Sequence, residues 1–555
     1  MASDKSTASL TTASSKAILL LVVFLLTHTL SFSQTTTRTY LVRLRDKVSS
    51  PYSVSRPEQF LSQRSIQRRQ KQNIAVLERD LPVNPAYVTQ LQQAGAKVRF
   101  TSRWLNAVLI EATDATMTAV QRLPFVTGLE FNRALSRPVR SGGRLGAETD
   151  TKFGQVQTAI NYGTSQTQIT QLGVDNMHAA GFRGEGILIG VLDSGFMNAD
   201  EVSFLKPLFD EKRILATYDF VKKETSVYED DSHGTSCLAA IAATADGQLY
   251  GTAFKASFVL LRTEDADSEQ QVEEANWLFG AEYADSAGVD VISSSLGYTT
   301  FDDPSQNYTY ANMDGKTALC TRAAQIASET GMVVVVAAGN EGSNAWRYIS
   351  APSDAAGVLC IAAVNQTGQW ASFSSIGPAA DGRVKPDLAA RGQGTIIGNP
   401  DGRIASGNGT SFATPLVAGL AAGFWQANSR LTAVQVVEAL RRSGTQAGAP
   451  DAQLGYGIPN FARPLATEEP MAPFVVFPNP FSDGEPLTID WQTINANASV
   501  DATLADLTGR TVWQYRYQPG KLGTLTVPSL NLSAGFYVMT IVSGDKRRVI
   551  KLLKR

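Results

Sequence analysis

The chain has 555 residues, 43% of them hydrophobic and 18% charged, which describes globular units and excludes wholesale disorder. Lysine plus arginine (49) nearly balances aspartate plus glutamate (51), so no global basic field points to nucleic acid. Three cysteines cannot build a disulfide scaffold, and the length predicts three or four units.

Lys5 and Lys16 precede the apolar run 17–26, which is too short to cross a bilayer comfortably, and small residues follow at Ser31 and Ser33. This reads as an export signal over 1–33, cut before Gln34. Periodicity then predicts strand 40–44, helices 57–71 and 86–94, strands 97–100 and 106–111, helix 115–123 and strand 126–130. The order β-α-α-β-β-α-β predicts a ferredoxin-like α+β unit with an extra helix. The arginine-rich run 57–71 is expected to be a solvated face, and the Gly- and Arg-containing stretch 136–146 an exposed joint open to proteolysis.

From 173 to 441 the pattern changes. Apolar strands at 187–192, 257–261, 289–293, 332–336 and 358–364 alternate with helices at 233–243, 272–286, 317–329, 411–426 and 432–441. That predicts a parallel sheet covered by helices on both faces, in which ligands bind beyond the carboxyl ends of the strands. Asp193, Ser294-Ser295-Leu296-Gly297 and Ala338-Gly339-Asn340 fall at those ends. His233 opens a helix behind Asp231-Ser232, and Ser411 stands in the first turn of an apolar helix behind Gly407-Asn408-Gly409. Ser411 alone reads equally well as an N-cap. Together, an aspartate, a histidine, an asparagine and a serine on one rim are the parts of a nucleophilic hydrolase. A serine is a weak nucleophile until an imidazole oriented by a carboxylate takes its proton, and a helix start suits an oxyanion. Outside the signal only His178 and His233 remain as candidate bases. His178 precedes the first sheet strand, off the rim, and is expected to be a structural or surface residue.

Val191-Leu192-Asp193-Ser194-Gly195, Ser232-His233-Gly234-Thr235 and Gly409-Thr410-Ser411-Phe412-Ala413-Thr414-Pro415 resemble the three signature motifs of the subtilisin family, in its order. The resemblance implies a subtilisin-like α/β fold in which Asp193 orients His233, His233 is the base, Ser411 attacks and Asn340 donates to the oxyanion. It further implies that Ser294, Ser295, Leu296 and Gly297 form an edge for an extended peptide. Ala338 and Gly339, with Ala337, would line an apolar pocket for the residue before the cut. Cys237 is similar to the free thiol that proteinase K-like subtilases carry one turn after the histidine. Cys320 and Cys360 are left as the one candidate disulfide pair.

Trp104-Leu105-Asn106-Ala107-Val108 and Leu123-Pro124-Phe125-Val126 are similar to subtilase propeptides, which implies a chaperone and inhibitor removed on maturation. Gly382-Arg383-Val384-Lys385-Pro386-Asp387 also fits the family, whereas Ala390-Arg391-Gly392 and Phe196-Met197-Asn198 depart from it. Beyond Glu468 short alternating strands predict a small β-sandwich. Phe477-Pro478-Asn479-Pro480-Phe481, Asp506-Leu507-Thr508-Gly509-Arg510 and Ala534-Gly535-Phe536-Tyr537-Val538 resemble the C-terminal sorting domain of the type IX secretion system. The expected units are therefore signal 1–33, propeptide and joint 34–146, peptidase 147–466 and sorting domain 467–555.

The expectation is an exported serine endopeptidase made as a self-inhibited zymogen, passing through the periplasm and outer membrane to the cell surface or beyond. Its partners would be polypeptide substrates, its own propeptide and the type IX machinery, with no nucleic acid and a monomeric state. No cofactor is expected for the chemistry, and a structural calcium is left open. The competing expectation is a catalytically silent subtilase-like scaffold displayed as an adhesin.

Overall fold

The computed structural model describes residues 36–136, 160–463 and 474–555, apart from 485, 492–498, 518–522, 529–531 and 544–545. The expected export signal and nearly all of the 136–146 joint lie outside these residues. The chain divides into two compact units, Met1–Arg463 and Pro464–Arg555.

At the centre of the first unit is a seven-stranded sheet. In spatial order its strands are 388–391, 359–364, 333–337, 291–294, 188–193, 257–262 and 214–219, and every pairing is parallel. Leu188–Asp193 and Val333–Ala337 are buried at every position, which requires cover on both faces. Helices His233–Ala242 and Thr410–Ala427 pack together beside the sheet, and Val272–Ala287 pairs with Leu319–Glu329. The five expected strands and five expected helices all form within two residues of their expected ends. The two outermost strands were not foreseen. Ile214–Asp219 is mostly part-exposed, with Leu215 open to solvent, and so lacks the continuous apolar run that marks its neighbours.

The N-terminal part of this unit is the expected α+β fold. Its antiparallel sheet runs 97–102, 107–112, 38–44 and 126–129, over a core of Val42, Leu91, Val108, Ile110 and Val120. Its other side is apolar too. Leu41, Trp104, Ala107, Leu109 and Leu135 belong to one core with Trp277, Leu278, Ala281, Ala323 and Ala327 of the paired helices.

The expectation of a solvated arginine face is wrong. Helix Gln63–Lys71 buries Arg68 and Arg69, because Asp285 on Val272–Ala287 accepts from both, at 2.8 Å from Arg69 Nη2. Arg103 Nη2 reaches the same carboxylate at 2.5 Å, and Arg64 pairs with Asp290. Burial alone would raise the Asp285 pKa, but three guanidinium groups outweigh it and hold the group below its ordinary range.

The second unit has two antiparallel sheets, of order 474–477, 487–491, 523–527 and of order 511–517, 500–506, 535–543, 546–554. Ile489 from one sheet shares a core with Leu504, Met539, Ile541 and Leu552 from the other, which makes the unit the expected β-sandwich.

Candidate active site

Asp193 ends the central strand 188–193 and is fully buried. Its Oδ1 accepts from His233 Nδ1 at 2.7 Å and from the Ser194 N–H at 2.9 Å, while Oδ2 has no partner. A dry carboxylate with an unpaired oxygen directs its charge at the imidazole. His233 opens its helix without help from the Ser232 hydroxyl; instead Asp231 Oδ2 accepts the His233 N–H at 3.2 Å. Gly234 lets that helix start come close. A Cβ there would stand 2.3 Å from the Gly195 carbonyl and 3.0 Å from Asp193 Cβ.

Burial pulls the His233 pKa down, but Asp193 overcomes it, so the imidazole titrates well above 6.5. Cys237 lies 3.8 Å from His233 Nδ1 and adds to the upward shift of the imidazole, while burial pushes its own thiol up.

Ser411 is the second residue of helix Thr410–Ala427, with Gly409 as N-cap, so Ser411 is not itself the cap. Its N–H lies among those that have no intrahelical acceptor. Gly409 keeps space around the hydroxyl, since a Cβ would meet Ser411 Oγ at 2.7 Å. His233 Nδ1 is committed to Asp193 at 2.7 Å, which leaves Nε2 as the nitrogen for Ser411 Oγ once substrate draws the groups together. Asn340 follows strand 333–337, and its Oδ1 accepts from the Thr410 N–H at 2.9 Å and from Thr410 Oγ1 at 3.1 Å. That fixes the amide and leaves Nδ2 as the donor facing the Ser411 side, 3.8 Å from where a Gly409 Cβ would be.

Sequence reasoning missed what holds the Ser411 main chain. A helical carbonyl bonds the N–H four residues on, and here that residue is Pro415, which has none. The Ser411 carbonyl is satisfied instead by Ser295 Oγ at 2.8 Å and Cys237 Sγ at 3.4 Å. Proline at i+4 from Ser411 was the available signal. Gly392 is a second missed part: its carbonyl accepts the Gly409 N–H at 2.8 Å, and a Cβ on it would crowd Gly409 O at 2.7 Å.

The remaining expected residues divide. Leu296 is buried, Ser295 half-buried and Gly297 exposed, and the Gly339 N–H reaches Thr410 Oγ1 at 3.3 Å. Ala338 is fully buried behind the site, its N–H on the Ile361 carbonyl. Ser294 turns away, its Oγ accepting from Trp277 Nε1 at 2.9 Å. His178 is a core residue between Tyr162 OH (2.9 Å) and the Thr252 carbonyl (3.0 Å). Cys237, Cys320 and Cys360 are all free thiols, so the candidate pair does not form. Asp219, Glu224 and Asp230 lie close enough together to hold a cation, but Arg262 already pairs with Asp219 and Asp230, and Lys222 with Asp230. No helix among the described residues is long and apolar enough to cross a membrane.

Residues 184–457 match the Subtilase family, 39–144 the Peptidase S8 propeptide domain of Bacteroidota and 475–555 the secretion system C-terminal sorting domain. A subtilisin of Bacillus pumilus is 31% identical over 294 residues, which is 52% of this chain and 93% of that protein. Subtilisin NAT of Bacillus subtilis subsp. natto is 28% identical over 362 residues, 64% of this chain and 80% of that one. The crystal structure of MycP1 from the ESX-1 type VII secretion system is 22% identical with a TM-score of 0.45, covering 57% of this chain and 91% of that chain. The sorting domain directs type IX secretion to the cell surface or the extracellular space. With motifs, fold and relatives in agreement, the chain belongs to the subtilase family and is a serine-type endopeptidase with an S8 propeptide and a secretion sorting tail.

Proposed function

We propose that Ser411, His233, Asp193 and Asn340 hydrolyse peptide bonds through an acyl-enzyme. His233 Nε2 takes the Ser411 Oγ proton as Oγ attacks the scissile carbonyl. Asp193 fixes the tautomer and stabilises the imidazolium. The oxyanion is received by Asn340 Nδ2 and the Ser411 N–H. His233 returns its proton to the leaving amine, and water then repeats the sequence on the ester. The substrate lies extended along 294–297, with Ala338 and Gly339 behind its pocket. The observation that carries this reading is the 2.7 Å bond from His233 Nδ1 to a fully buried Asp193.

In the same reading, 34–146 is cleaved from a monomeric peptidase of 147–466, and 467–555 serves export. The chemistry runs on side chains. A structural calcium would fit Glu264, Glu269 and Glu273, whose oxygens gather within 4.8 Å. Burial and the charges of Asp302 and Glu274 push Glu269 up to about 7, and burial with the charges of Glu264 and Glu269 pushes Glu273 up to about 10, a cost that a divalent cation would relieve.

Fluorophosphonate labelling of the matured protein, with mass spectrometry to locate the adduct, tests the reading. The adduct is expected on Ser411, and Ser411→Ala is expected to fold, take no label and keep its propeptide. No adduct after the propeptide has been removed would put the silent-scaffold reading first.

A further inference from the structure

The last described residues of the propeptide leave its sheet and run onto the peptidase surface. Leu135 donates its N–H to the Thr39 carbonyl (2.8 Å), and its own carbonyl accepts from the Val272 N–H (3.1 Å). Its side chain is fully buried, in the core that includes Leu296, Tyr298, Phe301 and Tyr308, next to the expected substrate edge. Two residues earlier, the Arg133 guanidinium spans two loops. Nε and Nη2 donate to Gln271 Oε1 at 3.3 and 3.0 Å, and Nη1 donates to the Ser305 carbonyl at 2.9 Å.

Two features suit this cleft to a guanidinium rather than to any side chain. Gln271 is fully buried, and its Oε1 takes both Nε and Nη2 of Arg133, an acceptor that only a multiple donor meets in this way. The two loops are tied by the Asp302 N–H on the Glu269 carbonyl (2.8 Å), which holds the two acceptors, Gln271 Oε1 and the Ser305 carbonyl, on one framework. An arginine that leaves with the propeptide vacates a cleft whose two acceptors remain on the enzyme.

We propose that this cleft is a substrate subsite of the mature enzyme. It takes a basic side chain through Gln271 Oε1 and the Ser305 carbonyl, two residues upstream of an aliphatic residue that fills the place of Leu135. The preferred substrates are then extended segments of the form Arg-x-Leu ahead of the cut. The proposal rests on the endopeptidase reading above, and it assigns that enzyme a selectivity remote from the scissile bond.

The test uses enzyme matured from the full chain and internally quenched peptides that differ at one position: Arg-Ala-Leu-Ser, Ala-Ala-Leu-Ser or Glu-Ala-Leu-Ser ahead of a common sequence. A charge-assisted pair of hydrogen bonds predicts kcat/KM about tenfold higher for the arginine peptide than for the alanine peptide. The glutamate peptide should be the poorest. Gln271→Ala should bring the arginine-to-alanine ratio close to one, and Gln271→Glu should widen it. Equal kcat/KM for all three peptides would overturn the proposal and leave Arg133 as an anchor of the propeptide only. Failure to cleave any peptide by an enzyme that still labels at Ser411 would also overturn it. Failure to cleave by an enzyme that does not label would sink the endopeptidase reading itself.

Discussion

Ser295 and Cys237 share one acceptor, the Ser411 carbonyl that Pro415 leaves without an intrahelical partner. Removing either donor leaves the other in place, so Ser295→Ala and Cys237→Ala should each lower kcat only a few-fold. The double variant should lose more than the product of the two, because a buried carbonyl is then unsatisfied at the residue that carries the nucleophile. A strictly multiplicative cycle would show that the two donors act separately. Asn340→Ala should lower kcat by about 10²–10³, the size known for the corresponding donor of subtilisin, with KM nearly unchanged.

The pH dependence belongs to the same scale. His233 must be neutral to act as base, and its pKa stands well above 6.5, so kcat/KM should climb with pH and reach half its maximum above pH 6.5. A midpoint at or below 6.5 would contradict the Asp193 argument. A raised folded-state pKa also means that the stability His233 contributes is full below pH 6.5 and is lost as pH rises through its folded value. His178 has the opposite sign. Burial lowers it to about 4, so the protein must lose stability as pH falls from 6.5 towards 4, by about 3 kcal/mol at most from this residue. Urea denaturation at pH 7 and at pH 4.5 should show that loss, and His178→Phe should reduce it.

Among the elements, helix Val272–Ala287 has two uses, as a wall of the peptidase core and as the seat of the propeptide. Glu282 receives the turn of the propeptide sheet, from Ser102 Oγ (2.5 Å) and the Arg103 and Trp104 N–H groups (3.0 and 3.1 Å). One turn on, Asp285 gathers Arg68, Arg69 and Arg103. Taking away one member of a buried ion cluster strands the rest at about 3–5 kcal/mol. Asp285→Ala in the mature enzyme should therefore weaken inhibition by separately added propeptide at least about a hundredfold, read from inhibition titrations. An unchanged inhibition constant would mean that the apolar contact of Trp104, Leu109 and Leu135 suffices.

The central strands, their helices and the site at the strand ends were legible in the sequence because burial on both faces forces apolar runs, and because ligand groups of such sheets collect at one edge. Helix Gln63–Lys71 was misread for a definite reason. Arginines at Arg64, Arg68 and Arg69 give the same local pattern whether they face water or a carboxylate brought in from more than two hundred residues away. Lys385-Pro386-Asp387 is the converse case. The motif was seen, but the buried bond from Lys385 Nζ to Asp387 (2.7 Å) and the tie from Asp387 to Arg441 (2.6 Å) could come only from the fold. Strand 214–219 lay outside the rule altogether, since an edge strand has a face that nothing covers.

At the scale of the whole molecule, the propeptide and the sorting unit differ in where their hydrophobic cores lie. The propeptide shares its hydrophobic core with the peptidase, so losing it uncovers Leu296-side and Trp277-side surface that was built to be buried. The sorting unit differs, with twelve buried hydrophobic residues among those described forming a core of its own. Export also fits the thiol chemistry. Cys237, Cys320 and Cys360 are fully buried, and burial pushes each thiol above its ordinary range, to about 12 for Cys360, which disfavours the reactive thiolate. Separate cores predict separable functions. A chain that ends at 466 should mature, label at Ser411 and cleave peptides with the kcat/KM of the full chain, since Asp193, His233, Asn340 and Ser411 all lie in the first unit. In the native host the same truncation should stay in the periplasm, detected by cell fractionation, because the signal read at the outer membrane is gone. Wild-type amounts of the truncated enzyme outside the cell would deny the sorting role. Loss of peptidase activity in the purified truncation would instead show that the sandwich supports the peptidase fold.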